Sequence, residues 1–359
     1  MASSAGSTLN VQEGVLTASS LARLIEEGAI AASGKGTQVQ PASLDLTLGP
    51  KARRVRAAFL PSGRQGLAER LDALTLHTLD LTGDGAVLER GCVYVVELAE
   101  RLRLPKDLSG AANPKSSTGR IDVFVRLLTE DFEGYEKVPA GYEGKLYLEI
   151  CPRTFPIVVR EGSSLNQLRL RRGQGRLTDR EVAAELPQGC QVDDGLNVSV
   201  DLSPSLGEVV GWRARRHAGL IDVDKVGILD PRAYFEPIAA PKDGLLTLDP
   251  DEFYILASRE EVVVPVGLAA EMAAIDEEIG AFRAHYAGFF DPGFGVEAPS
   301  RAVLEVRGFD VPMILEHGQR AARLRYERLE EVPQRVYGSA QASNYQGQGL
   351  RLSKHFRAG

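Results

Sequence analysis

Short apolar runs recur along the chain and set its character. VYVVEL, KLYLEI, FYILAS and AVLEV are rich in Val, Tyr, Phe, Ile and Leu, with Gly, Pro or Asp punctuating the gaps between them. Runs this short, bounded this way, predict strands. Helical pattern is scarce. SSLARLIEEGAI has a serine N-cap candidate, glutamates and a closing glycine, and predicts one short helix. LTDREVAAEL predicts a second, and GLAAEMAAIDEEIGAFRAH (Gly267 to His285) a third. Many short strands with few helices predict a mainly β protein, a sandwich or distorted jelly roll.

Two parts of the pattern repeat. VYVVELAERLRLP (Val93 to Pro105) pairs with FYILASREEVVVP (Phe253 to Pro265) at an offset of 253 − 93 = 160. LEICPRTFPIVVREG (Leu148 to Gly162) pairs with LEVRGFDVPMILEHG (Leu304 to Gly318) at 304 − 148 = 156. Proline, glycine and glutamate fall in register, so the chain reads as a duplicated domain. The expected organisation is a disordered tail over 1–12, a first domain over 13–175, a linker over 176–215, a second domain over 216–332 and a C-terminal tail over 333–359.

Composition narrows the class. The chain has 359 residues, a net charge of −7, 43% hydrophobic and 25% charged residues, which suits two globular domains with a core each. No apolar run approaches the ~20 residues of a membrane helix, and MASSAGSTLN does not read as a signal peptide. Three widely spaced cysteines (Cys92, Cys151, Cys190) argue against a disulfide framework and fit a reducing cytoplasm. The acidic balance disfavours nucleic acid, so an anionic ligand needs a local pocket of positive charge.

NPKSSTGR (Asn113 to Arg120) has the composition of such a pocket. Gly119 lets backbone approach a ligand, Ser116, Ser117 and Thr118 can donate hydrogen bonds, and Lys115 and Arg120 bring charge. A solvated polar turn has the same composition. YAGFFDPGFG (Tyr286 to Gly295) reads as an apolar hairpin bent at Asp-Pro-Gly, able to offer backbone to the edge of a flat base. A plain β-turn reads the same way. Glu305 sits inside the apolar AVLEV, where a carboxylate is costly unless paired or used, and Glu149 holds the equivalent place in LYLEI. An edge strand with glutamate facing water is the alternative.

Together these stretches resemble the dCTP deaminase branch of the dUTPase-like superfamily. PASLDLTLG (Pro41 to Gly49) resembles its opening strand, KSSTGR its phosphate motif (Arg-Ser-Ser-Leu-Ala-Arg in the family), and AGFFDPGFG its nucleoside hairpin. VLEV or YLEI resembles the strand of the catalytic glutamate, NQLRL (Asn166 to Leu170) a later strand, and YGSAQASNYQGQG (Tyr337 to Gly349) the tail that closes over nucleotide. The resemblance implies two tandem dUTPase-like (jelly-roll or β-clip) domains. It also implies hydrolytic deamination of dCTP to dUTP and ammonia, without zinc and with Mg²⁺ carried on the triphosphate. The zinc deaminase signature of a Cys-x-x-Cys pair is missing from the sequence.

The motifs are split between the halves. The first keeps Lys115, Ser116, Ser117 and Arg120; at an offset of 160 the second has Asp276 and Gly280 where Ser116 and Arg120 stand. Family sites lie between neighbouring copies, which implies one composite site. Ser116 and Arg120 come from the first half and Ala287, Gly288, Phe290, Asp291 and Glu305 from the second, with Glu305 as general base and Glu149 as the other candidate. Phe290 is placed to crowd a 2′-hydroxyl. Lys115, Ser117, Tyr337, Tyr345 and Gln348 are expected on the phosphates, and Asn344 stands where the family often has a tail lysine. The implied partners are dCTP, dUTP and dTTP, with further copies of the chain in a trimer-based homo-oligomer; neither nucleic acid nor membrane is implied. Two other readings remain: dUTP hydrolysis, alone or coupled to deamination with Asp291 placing water, and a non-catalytic nucleotide sensor or structural β-assembly.

Overall fold

The computed structural model describes residues 12–32, 38–60, 66–130, 132–274, 288–308, 311–338 and 347–358, and the backbone of 282–285. The expected N-terminal tail thus falls almost wholly outside the described residues.

The chain is mainly β, and its two halves repeat one topology. In the first, one sheet orders the strands Val123–Thr129, Glu143–Pro152, Val93–Arg103, Leu48–Val55 and Thr75–Asp80. In the second, the order is Phe282–His285, Arg301–Gly308, Phe253–Glu261, Val209–Ala214 and Phe235–Ala239. Register matches the duplication. Glu149 lies opposite Val95 on one side and Arg126 on the other. Glu305 lies opposite Ile255 and His285. The differences 255 − 95 = 160 and 305 − 149 = 156 reproduce the sequence offsets. The second sheet of each half repeats in the same way, with Lys137–Val138, Leu108–Pro114, Asn166–Arg172 and Leu44–Leu46 answering to Phe289–Phe290, Leu268–Ala274, Arg320–Arg328 and Leu196–Ser199.

The halves share a core. A buried cluster built on Leu44, Val96, Leu127 and Ile150 continues into Tyr234, Phe235, Phe253 and Ile255 of the second half and Leu352 and Phe356 of the tail. At its centre Phe155 meets Tyr234 and Phe235 edge-on with ring centroids 5.6 and 5.5 Å apart, and Phe356 meets the same two rings at 5.4 Å each. Removing one such ring costs about 3–5 kcal/mol. Arg160 locks the seam from outside, forking onto Asp222 at 2.8 and 2.9 Å.

Of the three expected helices, two form. Ala18–Glu26 is the first. Asp179–Glu185 is the second, opened by a capping box between Thr178 and Glu181. The third does not form where described: Leu268–Ala274 and Phe282–His285 are strands. Leu268, Ala270 and Met272 are buried at alternate positions, and the segment pairs along its length with Arg320–Arg328, so sheet pairing overrides the helix propensity of its alanines. A helix at Leu67–Leu74 had no clear signal. The segment 176–215 is no linker, since it carries that second helix and the strands Leu196–Ser199 and Val209–Ala214, both integral to the second half. Among the described residues no helix is long and apolar enough to cross a membrane.

Candidate active site

NPKSSTGR resolves into the end of a strand and one helical turn. Leu108–Pro114 ends at Pro114, and Ser116–Gly119 turns immediately after it. Lys115 opens the turn, its carbonyl accepting from the N–H groups of Thr118 and Gly119 at 2.8 and 3.0 Å. The Arg120 N–H then bonds to Ser116 O at 3.1 Å. These bonds hold the turn, and Lys115, Ser116, Ser117 and Arg120 line a cavity beside it.

The opposing wall belongs to the second half. Asp291-Pro292-Gly293-Phe294 is a turn closed by Phe294 N–H on Asp291 O at 3.2 Å, with Gly293 at φ 91. Proline second and a left-handed glycine third is what a type II turn requires. A Cβ on Gly293 would also stand 3.0 Å from Val336 Cβ, so only glycine fits. Phe290, Phe294 and Tyr337 form a chain of rings with centroids 5.1 and 5.4 Å apart. Gly288 faces the first half so closely that a Cβ there would lie 3.9 Å from Ser116 Oγ.

Between these walls lies a cavity of about 440 Å³. Lys115, Ser116, Ser117 and Arg120 line it from the first half, and Gly288, Phe290, Asp291 and Glu305 from the second. Tyr337 and Gln348 complete it from the tail. One chain therefore brings together the residues that the sequence assigns to opposite partners. Ala287, Asn344 and Tyr345 lie outside the described residues.

Glu305 is the distinctive group. It is 5% exposed, and Arg120 Nε approaches its Oε1 at 3.8 Å. Burial pushes its carboxyl up to about 8, with Arg120 pulling the other way. Arg120 is itself held, through Nη1, by Gln348 Oε1 at 3.1 Å and the Arg351 carbonyl at 3.0 Å. Asp291 is raised to about 6 by burial, offset by Arg169 at 3.7 Å.

Glu149 does not border the cavity. It is buried and bonded to Arg126 Nε and Nη2 at 2.8 and 2.5 Å, while the Arg126 guanidinium stacks on Tyr135 at 3.5 Å. Burial raises its carboxyl too, with Arg126 opposing. The second candidate glutamate is thus paired with Arg126 and stands apart from the cavity that Glu305 lines. By register, Arg126 holds the place in the first half that His285 holds in the second.

Several residues of the site were not singled out from sequence. Asp45, inside PASLDLTLG, is buried and receives Lys115 Nζ at 2.5 Å and Gln40 Nε2 at 3.1 Å. Lys354 reaches the same end of the cavity from the tail. Burial and nearby Lys115 hold its ammonium below the usual range, while Asp45 and Asp224 oppose this. Arg169, inside NQLRL, is fully buried. It donates to the carbonyls of Ala42, Ala270 and Phe290 at 3.3, 2.9 and 3.2 Å and stacks on Phe289 at 4.1 Å, fixing the hairpin from below. The quoted motifs contain all but Lys354. Their burial, which marks them out, depends on contacts between the halves.

The family models agree with this layout. Residues 12–174 match the N-terminal domain of 2′-deoxycytidine 5′-triphosphate deaminase, and residues 174–356 match its C-terminal domain. The chain belongs to the dCTP deaminase family. A solved structure of 2′-deoxycytidine 5′-triphosphate deaminase from Agrobacterium tumefaciens is 48% identical, with a TM-score of 0.85, covering 90% of this chain and 100% of that one. A dCTP deaminase of Natronomonas pharaonis is 26% identical over 181 residues, 49% of this chain and 86% of the relative. A "dCTP deaminase, dUMP-forming" of Halobacterium salinarum is 30% identical over 113 residues, 32% of this chain. That match spans little more than half (55%) of the relative.

Proposed function

We propose that the protein deaminates dCTP hydrolytically at this cavity, with Glu305 as the general base. The observation that carries the reading is the buried Glu305 beside Arg120, walled by Ser116 on one side and the hairpin on the other. In its carboxylate form Glu305 takes a proton from water as the oxygen bonds to C4, and passes that proton to ring N3. The C4–N bond then breaks, ammonia leaves with the second water proton, and the oxygen remains as the C4 carbonyl. Ser116 Oγ and the Arg120 guanidinium supply hydrogen bonds to the oxygen and nitrogen substituents as charge develops. Backbone at Gly288 reads the pyrimidine edge, and the ring of Phe290 closes the sugar end.

The substrate is the Mg²⁺ complex of dCTP. Lys115, Ser117 and Lys354 suit its anionic end, and Asp45 keeps Lys115 aimed there. The test is incubation with dCTP and Mg²⁺, following ammonia and nucleotide products together. Ammonia with dUTP supports the reading, and no ammonia refutes it.

A second reading is favoured by Asp291, whose Oδ1 is buried without a hydrogen-bond donor among the described residues. That carboxylate can orient a water toward the α-phosphate, giving dUMP and pyrophosphate after deamination. The dUMP-forming name of the Halobacterium relative agrees with it. Pyrophosphate release in the same assay decides.

A further inference from the structure

Two ion pairs cross between the halves side by side, with opposite polarity. Arg120 of the first half faces Glu305 of the second. Two residues along each segment the signs reverse, and Arg307 of the second half donates through Nη2 to the carboxylate of Asp122 of the first. Strand alternation puts Glu305 and Arg307 on one face. Thr154 Oγ1 donates to Asp122 Oδ2 at 2.5 Å and accepts from Arg307 Nη2 at 2.9 Å, while Arg307 Nη1 donates to Asp251 O at 2.5 Å. Asp122 is 0% and Arg307 4% exposed.

The turn that bears Asp122 is the one that bears Arg120. Asp122 sits at φ 54, a left-handed conformation for a non-glycine residue. Its N–H bonds to Gly119 O and its carbonyl accepts from Arg153 N–H, both at 2.9 Å. Stability alone explains this poorly, since a buried ion pair roughly balances its own desolvation. The duplication supplies a contrast. At an offset of 156 Cys151 stands in the place of Arg307, and on the strand register of 285 − 126 = 159 the sequence has Ala281 in that of Asp122, in the pairing that also lacks a counterpart of Arg120. The clamp goes with the working pairing only.

We propose that Asp122, Thr154 and Arg307 form a positioning clamp that sets how closely Arg120 approaches Glu305 and so holds the reacting carboxylate in register with the first half. This rests on the reading of Glu305 as the base. The charged or titratable groups described around that carboxylate are Arg120 from the first-half turn, Arg307 on its own strand, and Lys115, Asp45, Asp291 and Lys354 around the cavity; on the neighbouring strand the backbone of His285 pairs with Glu305.

The test uses Arg307→Met, Arg307→Lys and Thr154→Val in the full chain. Two things are read: kcat and KM for dCTP, and the Glu305 carboxyl titration by infrared spectroscopy, assigned by its loss in Glu305→Gln. A misplacement near 1 Å costs up to about a hundredfold, so Arg307→Met should lower kcat at least about tenfold with KM within about threefold. Arg307→Lys should recover part of the rate. The carboxyl titration should move to higher pH as Arg120 withdraws. Folded variants with the parental kcat and titration, and only a lower Tm, overturn the clamp. If Arg307→Met does not fold, Thr154→Val decides by the same two readouts. A parent that makes no ammonia, with a titration that still moves in the variants, sinks the functional reading and leaves the clamp standing.

Discussion

Replacing Glu305 by glutamine should make the protein more stable in alkali, and the size of the effect follows from burial. The carboxyl has its ordinary value of 4.5 in the unfolded chain and is pushed up to about 8 in the folded one. Between those values the folded state binds more protons than the unfolded state, so stability falls as pH rises through the window. The span is 8 − 4.5 = 3.5 pH units, worth about 4–5 kcal/mol at roughly 1.4 kcal/mol per unit. Glutamine mimics the protonated acid and does not titrate. Urea unfolding of parent and Glu305→Gln at pH 4 to 9 isolates this residue, because every other group titrates in both proteins. The stability gap should open in favour of the variant by about 4 kcal/mol from pH 4 to pH 9. A gap constant within about 1 kcal/mol would show that Glu305 ionises as an exposed carboxylate does, and the account of its environment would fail.

Activity should respond in parallel. With Glu305 as the base and its carboxyl pushed up to about 8, kcat/KM should climb with pH along an acid limb near 8; a limb near 4.5 contradicts the burial argument. Glu305→Gln should lower kcat by at least about a thousandfold. Glu149→Gln should leave kcat near the parent value, because Glu149 is paired with Arg126 and does not line the cavity. Lys115→Ala should raise KM for dCTP more than it changes kcat, and steady-state kinetics at fixed Mg²⁺ will show whether it does. Ser353→Ala removes a 2.8 Å bond from the tail to the Ser117 carbonyl and should cost about 1 kcal/mol of stability.

Much of this was legible in the sequence, for physical reasons. The offsets of 160 and 156 come from strands whose apolar alternation is set by the core, and the register preserves them. The Asp291–Phe294 turn was legible because proline and glycine fix their own dihedrals. The turn after Pro114 stood out for its clustered hydroxyls and charges, and Glu305 because a charge in an apolar strand demands an explanation. What stayed hidden depends on contacts distant in sequence. Leu268–Ala274 looks helical by propensity and is a strand because Arg320–Arg328 lies beside it. Lys354 gives no local signal and matters because Leu352 and Phe356 anchor the tail in the first-half core. The difference between Glu149 and Glu305 is equally non-local, since each sits in the same local pattern. One faces Arg126 and a packed tyrosine, the other an open cavity.

The account stands or falls on where the nucleotide lies. A crystal structure of Glu305→Gln with dCTP and Mg²⁺ should place the triphosphate against Lys115 and Ser117 of the first half. The cytosine C4 should lie within about 4 Å of the residue 305 side chain on the second half of the same chain. Triphosphate remote from Lys115, or a base seated beside Glu149, would contradict it.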